Sequence, residues 1–116
     1  MAPGSCLFCK IANKEVPAKI VFEDNMVIAF EDIKPQAPVH ILVIPKYHID
    51  KVSDLDDDNI HLIGRLVLTA KNIAKEKNIH ESGYRIVLNC NKDAGQDVFH
   101  IHLHLLGGRK FVWPPG

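Results

Sequence analysis

The sequence has no long apolar run, no net charge, few cysteines and few aromatic residues, and each shortage removes a class of protein. Its longest aliphatic stretch, Ile41-Leu42-Val43-Ile44, falls far short of the about 20 residues that a membrane-spanning helix needs. The opening Met1-Ala2-Pro3-Gly4-Ser5 lacks the basic-then-apolar pattern of a secretory leader. Fourteen basic residues balance 14 acidic ones, and coating a nucleic acid or a membrane surface usually needs a basic excess. Aromatic residues make up only 7%, and no basic, aromatic-studded stripe suggests base stacking. Three cysteines, an odd number, do not form a disulfide framework and suit a reducing compartment. The expected location is the cytoplasm, with neither nucleic acid nor membrane as partner.

What is present fits one domain spanning 1–116. Apolar residues reach 47% and charged residues 24%, ordinary values for a globular chain that buries a core without crosslinks. There is no internal repeat or linker. Cys6 to Ala12 is expected to make one or two helical turns. Ile20–Glu23 and Val27–Phe30 read as short strands, with turn chemistry at Asp24-Asn25 between them. Asp32 to Pro38 holds two prolines and reads as a loop, and His40–Ile44 reads as a strand closed by Pro45. A long helix is predicted from about Asp57 to Lys77. Ile60, Ile63, Val67, Ala70, Ile73 and Ala74 mark its buried face, acids crowd its start and lysines its end. Tyr84–Leu88 and Val98–Leu106 complete the strands. The order predicts an α+β domain, an antiparallel sheet covered by the helix.

The most informative segment is Val98-Phe99-His100-Ile101-His102-Leu103-His104-Leu105. A side-chain period of two puts His100, His102 and His104 on one face and Ile101, Leu103 and Leu105 on the other. The plain alternative is a surface strand that happens to carry histidines. A metal shared by all three is disfavoured, because the outer pair of such a strand lies about 13 Å apart and zinc–nitrogen bonds are only about 2.0–2.1 Å. Covalent catalysis fits better. Neutral imidazole is a good nucleophile near pH 7, and attack on phosphorus needs one ring nitrogen fixed by a hydrogen bond and donors for the phosphoryl oxygens. His102, flanked by two histidines, suits that task best.

The run Gly95-Gln96-Asp97-Val98-Phe99-His100-Ile101-His102-Leu103-His104-Leu105-Leu106-Gly107-Gly108-Arg109 resembles the signature of the histidine triad (HIT) superfamily. Phe30 to Lys46 resembles the first half of its Hint branch, and Trp113-Pro114-Pro115-Gly116 the end of many of its members. The resemblance spans nearly the whole chain. It implies a five-stranded antiparallel sheet with one long and one short N-terminal helix, continued across a homodimer. It also implies a purine nucleoside phosphoramidase, a hydrolase that cleaves the P–N bond of nucleoside 5′-phosphoramidates through a nucleotidyl-histidine, with AMP- and GMP-type products. By position His102 matches the nucleophile, and His104 and His40 the histidines around it and the phosphate. Asn89, Gly95 and Asp97 match the loop contacting phosphate and leaving group, with Val98 beside it. Phe8, Ile11, Phe30, Asp32 and Ile33 match the nucleoside pocket, where Asp32 binds the ribose hydroxyls, and Trp113 matches a tail residue reaching the partner subunit. On residue type alone Phe30 and Ile33 fit a core, Asp32 a turn, His40 a structural histidine, Asn89 a strand end and Trp113 a loose tail. Many Hint proteins carry serine where this chain has Asp97, and a carboxylate there repels a phosphate but favours a cationic amine.

Cys6-Leu7-Phe8-Cys9 has C-x-x-C spacing, which by itself fits a redox pair, half of a tetrahedral site or coincidence. Some bacterial triad proteins resemble this chain in pairing such cysteines with a histidine after the Ile-Pro-Lys strand and with the first triad histidine. The resemblance therefore implies a structural zinc on Cys6, Cys9, His48 and His100. That set would orient His100, leave His102 metal-free and require no metal for the chemical step. Cys90 is expected to be packed, and His61 and His80 exposed. Two other functions compete with the phosphoramidase: a hydrolase of dinucleoside polyphosphates or acyl-adenylates, and a nucleotide-binding regulatory partner whose hydrolysis is incidental.

Overall fold

The computed structural model describes residues 5–116. Helix α1, Leu7–Ala12, follows Cys6, whose Sγ accepts the Cys9 N–H at 3.4 Å and so caps the first turn. Strands β1 (Ile20–Glu23) and β2 (Val27–Glu31) form a hairpin. Its turn is held by the Asp24 carboxylate, whose Oδ1 accepts the N–H groups of Met26 and Val27 at 2.8 Å each. β3 (Val39–Pro45), α2 (His61–Glu76), β4 (Tyr84–Leu88) and β5 (Leu103–Gly107) follow, giving one antiparallel sheet in the order β1-β2-β3-β5-β4. No helix among the described residues is long and apolar enough to cross a membrane.

Alternation along the strands sorts the side chains onto two faces. Val27, Ala29, Ile41, Val43, Leu103 and Leu105 pack beneath α2 with its Leu62, Leu66, Ala70, Ile73 and Ala74. Their neighbours Ile28, Phe30, Leu42 and Ile44 face the other way, against Cys6, Phe8 and Ile11 of the N-terminal segment. Ile101, Leu103 and Leu105 do lie on the helix side, as the alternation predicts.

Three sequence expectations are corrected. The long helix begins at His61 rather than Asp57. The Asp56 carbonyl and carboxylate instead tie Asp58, Asn59 and Ile60 into tight turns, Ile60 N–H reaching Asp56 O at 2.9 Å. Ala70, Ile73 and Ala74 are buried as predicted and Ile63 packs against the core, but in the first turns the stripe of α2 runs through Leu62 and Leu66, whereas Ile60 and Val67 are exposed. Its end is close to that predicted. Asn78 takes the left-handed conformation (φ 60°), and Ile79 N–H donates to Ala74 O at 3.0 Å while Asn78 N–H donates to Lys75 O at 3.2 Å. This pair of bonds stops a helix and drops Ile79 into the core.

The third correction concerns the histidine strand, which begins at Leu103 rather than Val98. In the β3–β5 register Val43 faces Leu103, so Pro45 would face Ile101. Proline has no N–H to donate, and the ladder ends there. Residues 98–102 leave the sheet, yet their alternation survives, because Ile101 stays in the core while its N–H donates to Ile49 O at 2.7 Å.

Candidate active site and metal centre

On the face away from α2 the chain brings together most of the residues marked in the sequence. His102 is buried, and its Nδ1 lies 2.8 Å from the His100 carbonyl oxygen. A carbonyl only accepts, so Nδ1 carries the proton and Nε2 keeps its lone pair. The Phe8 ring stands edge-on to His102 at 5.1 Å between centroids, and Phe30 packs on Phe8 at 5.5 Å. The imidazole is thereby held in one orientation by an apolar wall and one hydrogen bond.

His104 sits beside it, ring centroids 5.0 Å apart, and its tautomer is fixed by a relay. Gln36 N–H donates to His40 Nδ1 at 3.0 Å, so His40 carries its proton on Nε2 and gives it to His104 Nδ1 at 2.9 Å. His104 must then be protonated on Nε2, which makes it a donor on the ring beside His102. Burial pushes His104 down to about 4, with His102 and His40 acting in the same direction. Burial likewise lowers His40, against the pull of Asp32, whose carboxylate lies 3.4 Å from His40 Nε2. At neutral pH both rings are uncharged.

The second cluster comprises Cys6, Cys9, His48 and His100, whose donor atoms all lie within 4.8 Å of one another. His100 Nε2–H donates to Pro45 O at 2.7 Å, and His48 Nε2–H donates to Asp50 Oδ1 at 2.5 Å. Both Nδ1 lone pairs therefore point inward, 3.1 Å apart, with no proton between them. The thiols close the set: Cys9 Sγ is 3.2 Å from His48 Nδ1 and 3.5 Å from His100 Nδ1, and Cys6 Sγ is 3.4 Å from His100 Nδ1. Tetrahedral zinc with these ligands would separate them by about 3.3–3.8 Å, so the residues present fit a cation. Burial, with Cys6 beside it, pushes the Cys9 thiol up to about 11. A bound cation reverses that, displacing the proton to gain a thiolate.

Other predicted site residues fall around these clusters. Ile11 is buried beside Phe8, and Val98 packs on the same cluster. Asn89 is half-buried just past β4, and Gly95 takes a left-handed conformation (φ 87°) that its lack of a Cβ permits. Asp97 is exposed but near enough to His104 to favour its charged form. Asp32 is half-buried, its Oδ1 accepting the Lys34 N–H at 2.8 Å. Ile33 and Trp113 are brought to neither cluster: they are 93% and 82% exposed. Cys90 is half-buried with Sγ 3.2 Å from Ser53 Oγ, and His61 and His80 are exposed. Sequence reasoning missed Asp50, Gln96 and the Pro45 carbonyl. Their only local signal was nearness to His48 or His100 along the chain, because what they do depends on contacts across the fold.

The antiparallel sheet carries α2 on one face and gathers histidines of defined tautomer toward the other, and comparison with known proteins identifies the class. The HIT domain family model matches residues 13–111, and the chain belongs to that family. It is 48% identical over 103 residues to the purine nucleoside phosphoramidase of Escherichia coli K12, covering 89% of this chain and 87% of that one. It superposes on a HIT family hydrolase from Legionella pneumophila with TM-score 0.95 and 54% identity, covering 97% of this chain and all (100%) of the other. A zinc-bound histidine triad family protein from Mycobacterium smegmatis is similar with TM-score 0.79 and 32% identity, covering 94% and 78% respectively.

Proposed function

We propose that this HIT family protein hydrolyses purine nucleoside 5′-phosphoramidates, with His102 as the nucleophile. The observation that carries the proposal is the pairing of a free lone pair on His102 Nε2 with the Nε2–H donor of His104. The name of the Escherichia coli relative supports the substrate class. His102 Nε2 attacks phosphorus and the P–N bond breaks, the amine taking a proton from solvent as it leaves; the water of the second step gives one back. Water then attacks the nucleotidyl-histidine, which releases an AMP- or GMP-type nucleotide and restores the imidazole. The His100 carbonyl stabilises the positive charge that develops on His102 by accepting its Nδ1–H, and His104 Nε2–H steadies a phosphoryl oxygen. Phe8, Ile11 and Phe30 line the base side, the exposed Ile33 caps it from solvent only once a nucleoside is bound, Asp32 holds the ribose hydroxyls, and Asn89, Gly95, Asp97 and Val98 border the phosphate and amine.

We infer further that Cys6, Cys9, His48 and His100 hold zinc as a structural ion. The facing Nδ1 lone pairs support this, as does the zinc-bound relative. Zinc there fixes the N-terminal segment to the catalytic one and takes no part in the chemical step. The chain is read as one cytoplasmic domain that pairs into a homodimer, supported by β4 as an edge strand with Ile86 exposed and by free thiols at all three cysteines. In this reading Trp113 reaches the partner's site.

His102→Ala tests the core of the proposal. Turnover of adenosine 5′-phosphoramidate should fall by about 10⁴-fold or more while AMP still binds; unchanged turnover overturns the mechanism. Stability should drop by only about 1–2 kcal/mol, from one lost hydrogen bond and a small void.

A further inference from the structure

Gln96 is a polar residue only 5% exposed, and its side-chain amide uses every hydrogen it owns. Its Oε1 accepts Asn91 N–H at 2.7 Å, while Nε2 donates to Asp50 O at 2.7 Å and to Val98 O at 3.2 Å. Its own N–H returns to Asn91 O at 3.1 Å. The reverse orientation of the amide would set an NH₂ against an N–H and an oxygen against two carbonyls, so the partners fix which end is which.

These bonds join two parts of the molecule. On one side is the loop 91–98, with left-handed residues at Asn91 (φ 70°) and Gly95 (φ 87°) and a 3₁₀ turn at Lys92–Ala94 between them. On the other side is the segment 45–50, whose carbonyls at Pro45, Ile49 and Asp50 accept from His100, Ile101 and Gln96, each at 2.7 Å. The Asp50 carboxylate also fixes His48 of the Cys/His cluster. Residues 98–102 have left the sheet, so this brace stands in for the missing ladder. Gln96 is a rung that reaches past the histidines into the loop.

We propose that Gln96 is a positioning residue that ties the loop 91–98 to the 45–50 brace and so sets the loop's place at the phosphate site. The proposal rests on the reading that this loop borders the phosphate. Gln96 touches no reacting atom; it acts through the backbone of Asn91 and Val98. Losing it should loosen nucleotide binding and leave the nucleophile, held separately by His100 O and Phe8, nearly as fast.

The test uses two full-length variants. Gln96→Met keeps the side-chain length without the amide. Gln96→Glu keeps the acceptor for Asn91 N–H but opposes an oxygen to the Asp50 and Val98 carbonyls. Kinetics on adenosine 5′-phosphoramidate, AMP calorimetry and amide hydrogen exchange are measured for each. In Gln96→Met, KM and the AMP dissociation constant should rise about tenfold, the scale of one or two lost hydrogen bonds, with kcat within about threefold. Exchange should quicken across 91–98 while the strands stay protected. In Gln96→Glu the Asn91 amide should remain protected although AMP still binds more weakly. Changes below twofold in affinity and loop exchange in both variants overturn the assignment. So does faster exchange throughout the molecule matched by a fall in Tm. If the unaltered protein binds AMP without cleaving phosphoramidates, the catalytic reading fails, and affinity and exchange still decide the role of Gln96.

Discussion

His48 and His100 meet Nδ1 to Nδ1 at 3.1 Å, and His40 and His104 meet Nε2 to Nδ1 at 2.9 Å. The distances are almost the same, but the protons differ. In the first pair each outer nitrogen donates to an oxygen, of Pro45 or Asp50, so both inner nitrogens are lone pairs and attract a cation. In the second pair an N–H from Gln36 occupies the outer nitrogen of His40, which forces a proton between the rings and makes His104 a donor. Although Asp32, His40 and His104 are also close enough to suggest a metal group, the shared proton fills the place an ion would take. A single backbone partner decides whether a histidine pair is a ligand set or a relay.

The largest effect that should separate the two pairs is on metal affinity. Cys9→Ser removes one of four ligands and should weaken zinc binding by roughly 10²–10³-fold, read by competition with a chromogenic chelator. His40→Ala should leave that affinity unchanged, and equal losses in both variants would erase the distinction. A smaller effect is expected from Asp50→Asn, which removes the carboxylate behind His48 but no ligand. Zinc affinity should fall about 10- to 100-fold, measured in the same assay, and no change would mean that the lone pair of His48 is not oriented from behind.

Acid should give a gentler effect. His40 and His104 are held below their ordinary range in the folded protein, His104 at about 4. The unfolded chain therefore binds more protons between the ordinary histidine pKa of about 6.5 and 4. The stability these groups contribute is fully present above about pH 6.5 and is lost progressively as pH falls toward 4. Urea midpoints at pH 7, 6 and 5 should decline in that order, and His104→Asn should flatten the decline. A flat profile in the unaltered protein would mean that the relay already carries charge.

Much of the fold was legible locally. The turn at Asp24, the loop 32–38 and every strand appear in the pattern of apolar residues and breakers, and α1 lies where Cys6–Ala12 suggested it. The failures share one cause. The phase of α2 was right at Ala70, Ile73 and Ala74 but slipped in the first turns, where Leu62 and Leu66 compete with Ile60 and Val67 for the core and periodicity alone does not rank two adjacent stripes. The start of β5 was missed because it is set by Pro45, 56 positions before Ile101 in this numbering, through a ladder bond that proline is unable to make.

By itself the sequence determined which side chains share a face, since alternation is a local property of an extended chain and survives even where the strand does not. It also singled out His102 as the candidate nucleophile, while the family resemblance set His100 apart as a candidate ligand. Only the tertiary structure decided how the histidines are paired and where their protons lie. His40 meets His104 across 64 residues and His48 meets His100 across 52. The tautomer of each ring depends on an oxygen or an N–H that folding brings to it, and no local pattern encodes that partner.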